Sequence, residues 1–139
     1  MTYKEWAAGV PEIVRADTLW RVEAYRLALF LSDVAWEDAT KLLTDPRTRD
    51  IADQLYRAAC KISSHISEGY SRSTGRSRAV FYDYALGSSR ETRDWYYKGR
   101  RVLEESVAAH RMELATKLIR LTITMARNER RTNRKLPSV

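Results

Sequence analysis

A chain of 139 residues with 44% hydrophobic and 31% charged side chains is sized for one domain around one core. No apolar run is long enough to span a membrane, and the start, MTYKEWAAGVPEI, lacks the basic end and apolar stretch of a secretory leader. The single cysteine, Cys60, excludes an internal disulfide or a cysteine-built zinc site and points to a reducing compartment, the cytoplasm. The net charge of +7 is uneven: residues 1–46 carry five basic and eight acidic groups, residues 47–78 seven and three, and residues 108–139 eight and two. Polyanions are the partners that such a distribution suits.

Residues 1–16, with Trp6, Gly9 and Pro11, hold no sustained period and read as an irregular or partly helical arm. Asp17 or Thr18 caps the next segment, where Trp20, Ala24, Leu27, Ala28, Leu31, Val34, Ala35 and Leu42 repeat at helical spacing. That predicts a first long helix of about 26 residues, or about 40 Å. Leu19, Val22, Phe30 and Trp36 lie off the stripe, so the helix needs cover on two sides, from a core and from another subunit.

Thr44-Asp45-Pro46 breaks the pattern. A second helix follows over about Arg47–Tyr70, with Ile51, Leu55, Ala58, Ala59, Ile62, Ile66 and Gly69 on one face. Gly69 offers a left-handed helix end. Glu68 sits where the helix dipole prefers cations, so it calls for a partner such as Arg57 or Arg72. A structural network of Arg57, Glu68 and Glu91 tying the second and third helices together answers that need without catalysis.

The loop Ser71–Ser77 is polar and basic, with Ser73 or Thr74 as the next cap. Its Ser, Gly and Arg residues ahead of a helix suit phosphate contact, although the spacing of a P-loop is absent. The third helix carries Phe81, Tyr84, Ala85, Ser88, Glu91 or Thr92, Trp95, Gly99 and Val102 along one stripe, with Asp83, Tyr82, Tyr96 and Tyr97 elsewhere on its surface. Its small residues Ala85, Gly87 and Ser88 would let it lie close to Ala58 and Ala59, and Gly87 and Gly99 are expected to serve packing. The last helix, about Ala108–Asn128, places Leu114, Leu118, Leu121 and Met125 on its stripe, flanked by Ala115, Ile119 and Thr122, and a basic tail, residues 129–139, ends the chain. Four amphipathic segments with short connections predict an all-α, antiparallel up-down-up-down four-helix bundle over residues 17–128.

Chemistry is sparse. A di-iron bundle needs two Glu-x-x-His pairs, and neither His65 nor His110 follows a glutamate by three. Cys60 and His65 are five residues apart and point about 140° away from each other on a helix, so they form no dyad. No catalytic residue, metal or cofactor is expected. Arginine is abundant instead, and guanidinium groups pair bidentately with phosphates. The third helix's Arg90, Arg93, Arg100 and Arg101 read as a solvated face. Arg72, Arg76 and Arg78 in the loop, with Arg127, Arg130, Arg131, Arg134 and Lys135 at the end, read as a surface for RNA or DNA.

The central stretch resembles the bacterial four-helix-bundle proteins encoded in intervening sequences of large-subunit ribosomal RNA genes. That group includes the accessory protein Avd of diversity-generating retroelements. The shared residues are Gln54, Leu55, Arg57, Ala58, Ile62, Ile66, Glu68, Gly69 and Arg72, then Phe81, Ala85, Gly87, Ser88 and Glu91. Ala24-Tyr25-Arg26-Leu27-Ala28 matches upstream, and the likeness covers roughly residues 19–105. Lys61, His65, Ser67 and Ser71 depart from the pattern, and the arm and tail lie outside it. The resemblance implies a homopentameric ring, no enzymatic activity and, for Avd-like members, a basic nucleic-acid-binding surface and a reverse transcriptase partner. A structural or protein-interaction module with no direct nucleic-acid role is the alternative.

Overall fold

The computed structural model describes residues 1–132 and 136–137, which contain helices and no strands. Two short helices, α1 (Tyr3–Ala8) and α2 (Glu12–Arg15), precede a 3-10 turn at Thr18–Arg21. Four long helices follow: α3 (Glu23–Leu42), α4 (Arg49–Tyr70), α5 (Gly75–Leu103) and α6 (Glu105–Arg131). Each packs against the next in sequence, and α3 also meets α6, so the four enclose one core.

The arm is ordered by its aromatics. Thr2 and Glu5 close a reciprocal capping box at the start of α1. Trp6 is buried among Tyr3, Trp20 and Phe30, with ring centroids 5.4–6.1 Å apart, and its indole N–H donates to Asp33 of α3 at 2.6 Å. Asp17 caps the 3-10 turn by accepting from the Leu19 N–H. The first long helix is therefore shorter than the period suggested, 20 residues rather than about 26, because residues 18–21 wind more tightly and Val22 is extended.

Helix α4 buries Leu55, Ala58, Ala59, Ile62, Ile66 and Gly69 as its spacing predicts, with Ala52 buried in place of Ile51. Gly69 does not end the helix in a left-handed turn, since the described glycines all have negative φ. It serves close approach: a Cβ there would come within 2.9 Å of atoms of both Tyr82 and Phe81. Thr74 caps α5 by accepting from the Ser77 N–H at 3.1 Å. Gly75 follows against the end of α6, where a Cβ would lie 2.3 Å from the Glu129 carbonyl and 2.4 Å from that of Thr132.

Helix α5 buries Ala85, Ser88, Thr92 and Gly99 of the predicted stripe but extends its core face beyond it. Tyr82 and Tyr96, expected on the surface, are buried, while Tyr84 is exposed. Gly99 meets Leu42 as a packing glycine should, but Gly87 faces open space. Helix α6 likewise buries Ala108, Ala115, Leu118, Ile119, Thr122 and Ala126, leaving Leu114, Leu121 and Met125 half-buried. On α6 small and polar residues fill the tight helix–helix contact, and on α5 the Tyr96 hydroxyl finds Asp38, so hydrophobicity alone mislocates the seam.

A single residue joins α5 to α6. Glu104 has φ 76° and ψ 141°, a conformation that L side chains rarely adopt. Across the core, Tyr96 O–H donates to Asp38 at 2.7 Å and Arg111 Nε donates to the same carboxylate oxygen at 2.8 Å. Helices α3, α5 and α6 thus share one buried polar junction. Burial, followed by the charge of Asp38, pushes the Tyr96 phenol well above its ordinary value and keeps it a donor.

Candidate nucleic-acid interface

Among the described residues, the exposed arginines singled out from the sequence converge on one end of the bundle. Close packing of Gly75 against Glu129 and Thr132 brings the α4–α5 connection onto the last turn of α6. Arg72 from that connection, Arg76 from the first turn of α5, and Arg127, Arg130 and Arg131 from α6 are exposed there. Arg72 lies over the Phe81 ring, 4.5 Å from its centroid, which fixes the guanidinium without neutralising it. Arg130 pairs with Asp83 across α5 and α6, and the two flank a groove of about 380 Å³ that Leu86, Ile123, Ala126, Arg127 and Arg131 complete. Arg134 and Lys135 lie outside the described residues.

Arg78 is not a surface residue, contrary to expectation. It is 0% exposed, its Nε donates to Glu129 at 2.7 Å and its Nη1 donates to the Arg72 carbonyl at 2.9 Å. A buried guanidinium held by a buried carboxylate cannot reach a phosphate outside. It positions the loop instead, tying Arg72 and the α5 start to the α6 end. Near it the chain's last described residues return to the bundle, where the Thr18 hydroxyl donates to the Pro137 carbonyl at 3.3 Å and accepts from Tyr70 at 3.0 Å.

The expected network of Arg57, Glu68 and Glu91 does not form. Arg57 pairs with Asp53 one turn earlier on α4 at 2.9 Å, both exposed. Glu91 accepts from the Trp95 indole at 3.0 Å. Glu68 is exposed and makes no ion pair among the described residues, so water meets the charge that the helix end disfavours. Two buried polar ties between helices, Asp38–Tyr96–Arg111 and Arg78–Glu129, were missed by the sequence reading. A signal for them existed: Asp38 falls on the apolar stripe between Ala35 and Leu42, and Glu129 continues the buried stripe of Thr122 and Ala126.

Elsewhere the titratable groups are dispersed. His65 packs against Tyr84, 5.5 Å between centroids, and its Nδ1 is buried without a partner. Burial pushes its pKa down, against the opposing charge of Glu68, and Lys61 adds to the depression. Among the described residues no group of three or more His, Cys, Asp or Glu side chains is placed to hold a metal ion. Among the described residues no helix is long and apolar enough to cross a membrane.

The family model described as "23S rRNA-intervening sequence protein" matches residues 21–125. No curated protein and no solved structure matches the chain. The matched span takes in α3, α4, α5 and most of α6, together with the Gly69 contact and the Asp38–Tyr96–Arg111 junction that hold them together. On that coverage, the chain belongs to the 23S rRNA-intervening sequence protein family.

Proposed function

We propose that this protein is a non-enzymatic accessory factor that binds RNA or an RNA–DNA hybrid through the basic end of its bundle. The single observation carrying this reading is the convergence of Arg72, Arg76, Arg127, Arg130 and Arg131, from two distant stretches, at one exposed end. Guanidinium groups on a helix-based scaffold suit a phosphate backbone, with the buried Arg78–Glu129 pair keeping the two stretches in register. The sharpest form of the proposal is an Avd-like partner of a reverse transcriptase in a diversity-generating retroelement.

The proposal includes an antiparallel up-down-up-down bundle assembled into a homopentameric ring. Pairing of Arg78 with Glu129 and of Arg93 with Thr116 supports opposite directions for α5 and α6. Exposed Val80, Tyr84 and Tyr97 supply apolar surface for subunit contacts.

Binding to structured RNA and duplex DNA at 50 and 200 mM salt, with light scattering on the same samples, tests the reading. Five phosphate contacts give a loss of affinity of about 500-fold over that fourfold salt change. Charge reversal at Arg127 and Arg131 should weaken binding of every sequence alike. An oligomer that binds neither nucleic acid at 50 mM salt refutes the proposal.

A further inference from the structure

The opposite charge gathers at a second place on the molecule. A groove of about 550 Å³ runs between the arm and the outer face of α3. Val14, Leu29 and the exposed Trp36 make its apolar surface, and Glu5, Asp33 and Glu37 stand along it. No lysine or arginine lines it, in a chain that carries 25 of them. The arm half of the groove precedes the family-matched residues, which start at 21.

The groove is built rather than incidental. Trp6 is buried beneath it and bonded to Asp33, the Thr2–Glu5 capping box fixes the first carboxylate, and Glu37 lies one turn beyond Asp33 on the same helix. An indole left 60% exposed beside three carboxylates offers both an anchor surface and a charge code. Phosphates are repelled there, and a purely apolar segment would leave the carboxylates poorly solvated.

We infer that the groove docks a basic amphipathic helix of a partner protein, with apolar side chains against Trp36 and Leu29 and Lys or Arg side chains against Glu5, Asp33 and Glu37. Such a segment matches a helix-in-groove mode, in which one helix face supplies anchors at three- and four-residue spacing. The site is separate from the basic end, so one chain can hold a nucleic acid and a cationic protein at once.

The probe is a short fluorophore-labelled helical peptide of leucine and lysine, titrated into the full-length protein and followed by anisotropy. A leucine–glutamate peptide is the comparison. The lysine peptide should saturate, and Trp36→Ala and Glu37→Lys should each weaken it about tenfold. Asp94→Lys, the same charge change on the exposed face of α5, should leave binding unaltered. Equal binding of the two peptides, or no effect of Glu37→Lys, overturns the inference. So does a fall in assembly mass with Trp36→Ala or Glu37→Lys, which would make a second copy the occupant. RNA binding by the same variants should be unchanged, so this inference and the nucleic-acid reading fail separately.

Discussion

Arg111→Met tests how the bundle is held together, because it strips one partner from a carboxylate inside the core. Asp38 is 1% exposed and accepts from Tyr96 at 2.7 Å and from Arg111 at 2.8 Å. Removing the guanidinium leaves a buried negative charge with one neutral donor. Breaking a fully buried pair costs about 3–5 kcal/mol. The Arg111 side chain is 18% exposed, so the lower end of that range, about 3 kcal/mol, applies here. Tyr96→Phe removes a neutral donor to a charged acceptor and costs about 1.5–3 kcal/mol. Urea unfolding at pH 7 and one fixed protein concentration, which holds any assembly contribution constant, reads both. The double variant should cost less or more than the sum, by about 0.5 kcal/mol or beyond, since both side chains serve one carboxylate. A loss below about 1 kcal/mol for Arg111→Met, with additivity in the double variant, would show that the junction does not hold the three helices.

Three further outcomes follow from local geometry. Glu104→Gly should raise the unfolding midpoint by about 2–4 °C per kcal/mol of relieved backbone strain, of which about 1 kcal/mol is expected, and an unchanged thermal melt counts against strain at φ 76°. Gly75→Ala should destabilise by about 1–3 kcal/mol because its Cβ would meet two carbonyl oxygens, whereas Gly87→Ala should stabilise by about 1 kcal/mol in its open space; equal melts for the two refute the packing contrast. The Asp45 carboxyl, accepting from Arg47, is lowered from 3.8 to about 2. Its folded value lies below its unfolded one, so its contribution is present above about pH 4 and is lost as pH falls toward 2. Carboxyl-detected NMR should give that low midpoint, and Arg47→Ala should raise it only part of the way, because the backbone N–H of residue 47 still donates to the carboxylate.

The helices were legible in the sequence because their signals are local. The three- and four-residue spacing of Leu55, Ala58, Ala59, Ile62 and Ile66 sufficed for α4, and Thr74 marked the start of α5. The site was legible in part. Arg72, Arg76, Arg127, Arg130 and Arg131 are exposed as expected, but composition could not separate them from Arg78. That distinction rests on Glu129, 51 residues away, whose carboxylate makes burial of one guanidinium tolerable.

What the sequence determined alone is therefore the four long helices, their approximate ends, and membership of the family whose model matches residues 21–125. Periodicity and capping act over one or two turns, so the residues themselves carry that information. Tertiary structure decided the rest. It chose which face of α5 is the seam, burying Tyr96 with Asp38 and leaving Gly87 open, and it folded the arm onto α3 through Trp6 and Asp33. Those outcomes depend on which distant groups can satisfy a buried polar atom and how closely two backbones can approach. Neither is a property of any one stretch.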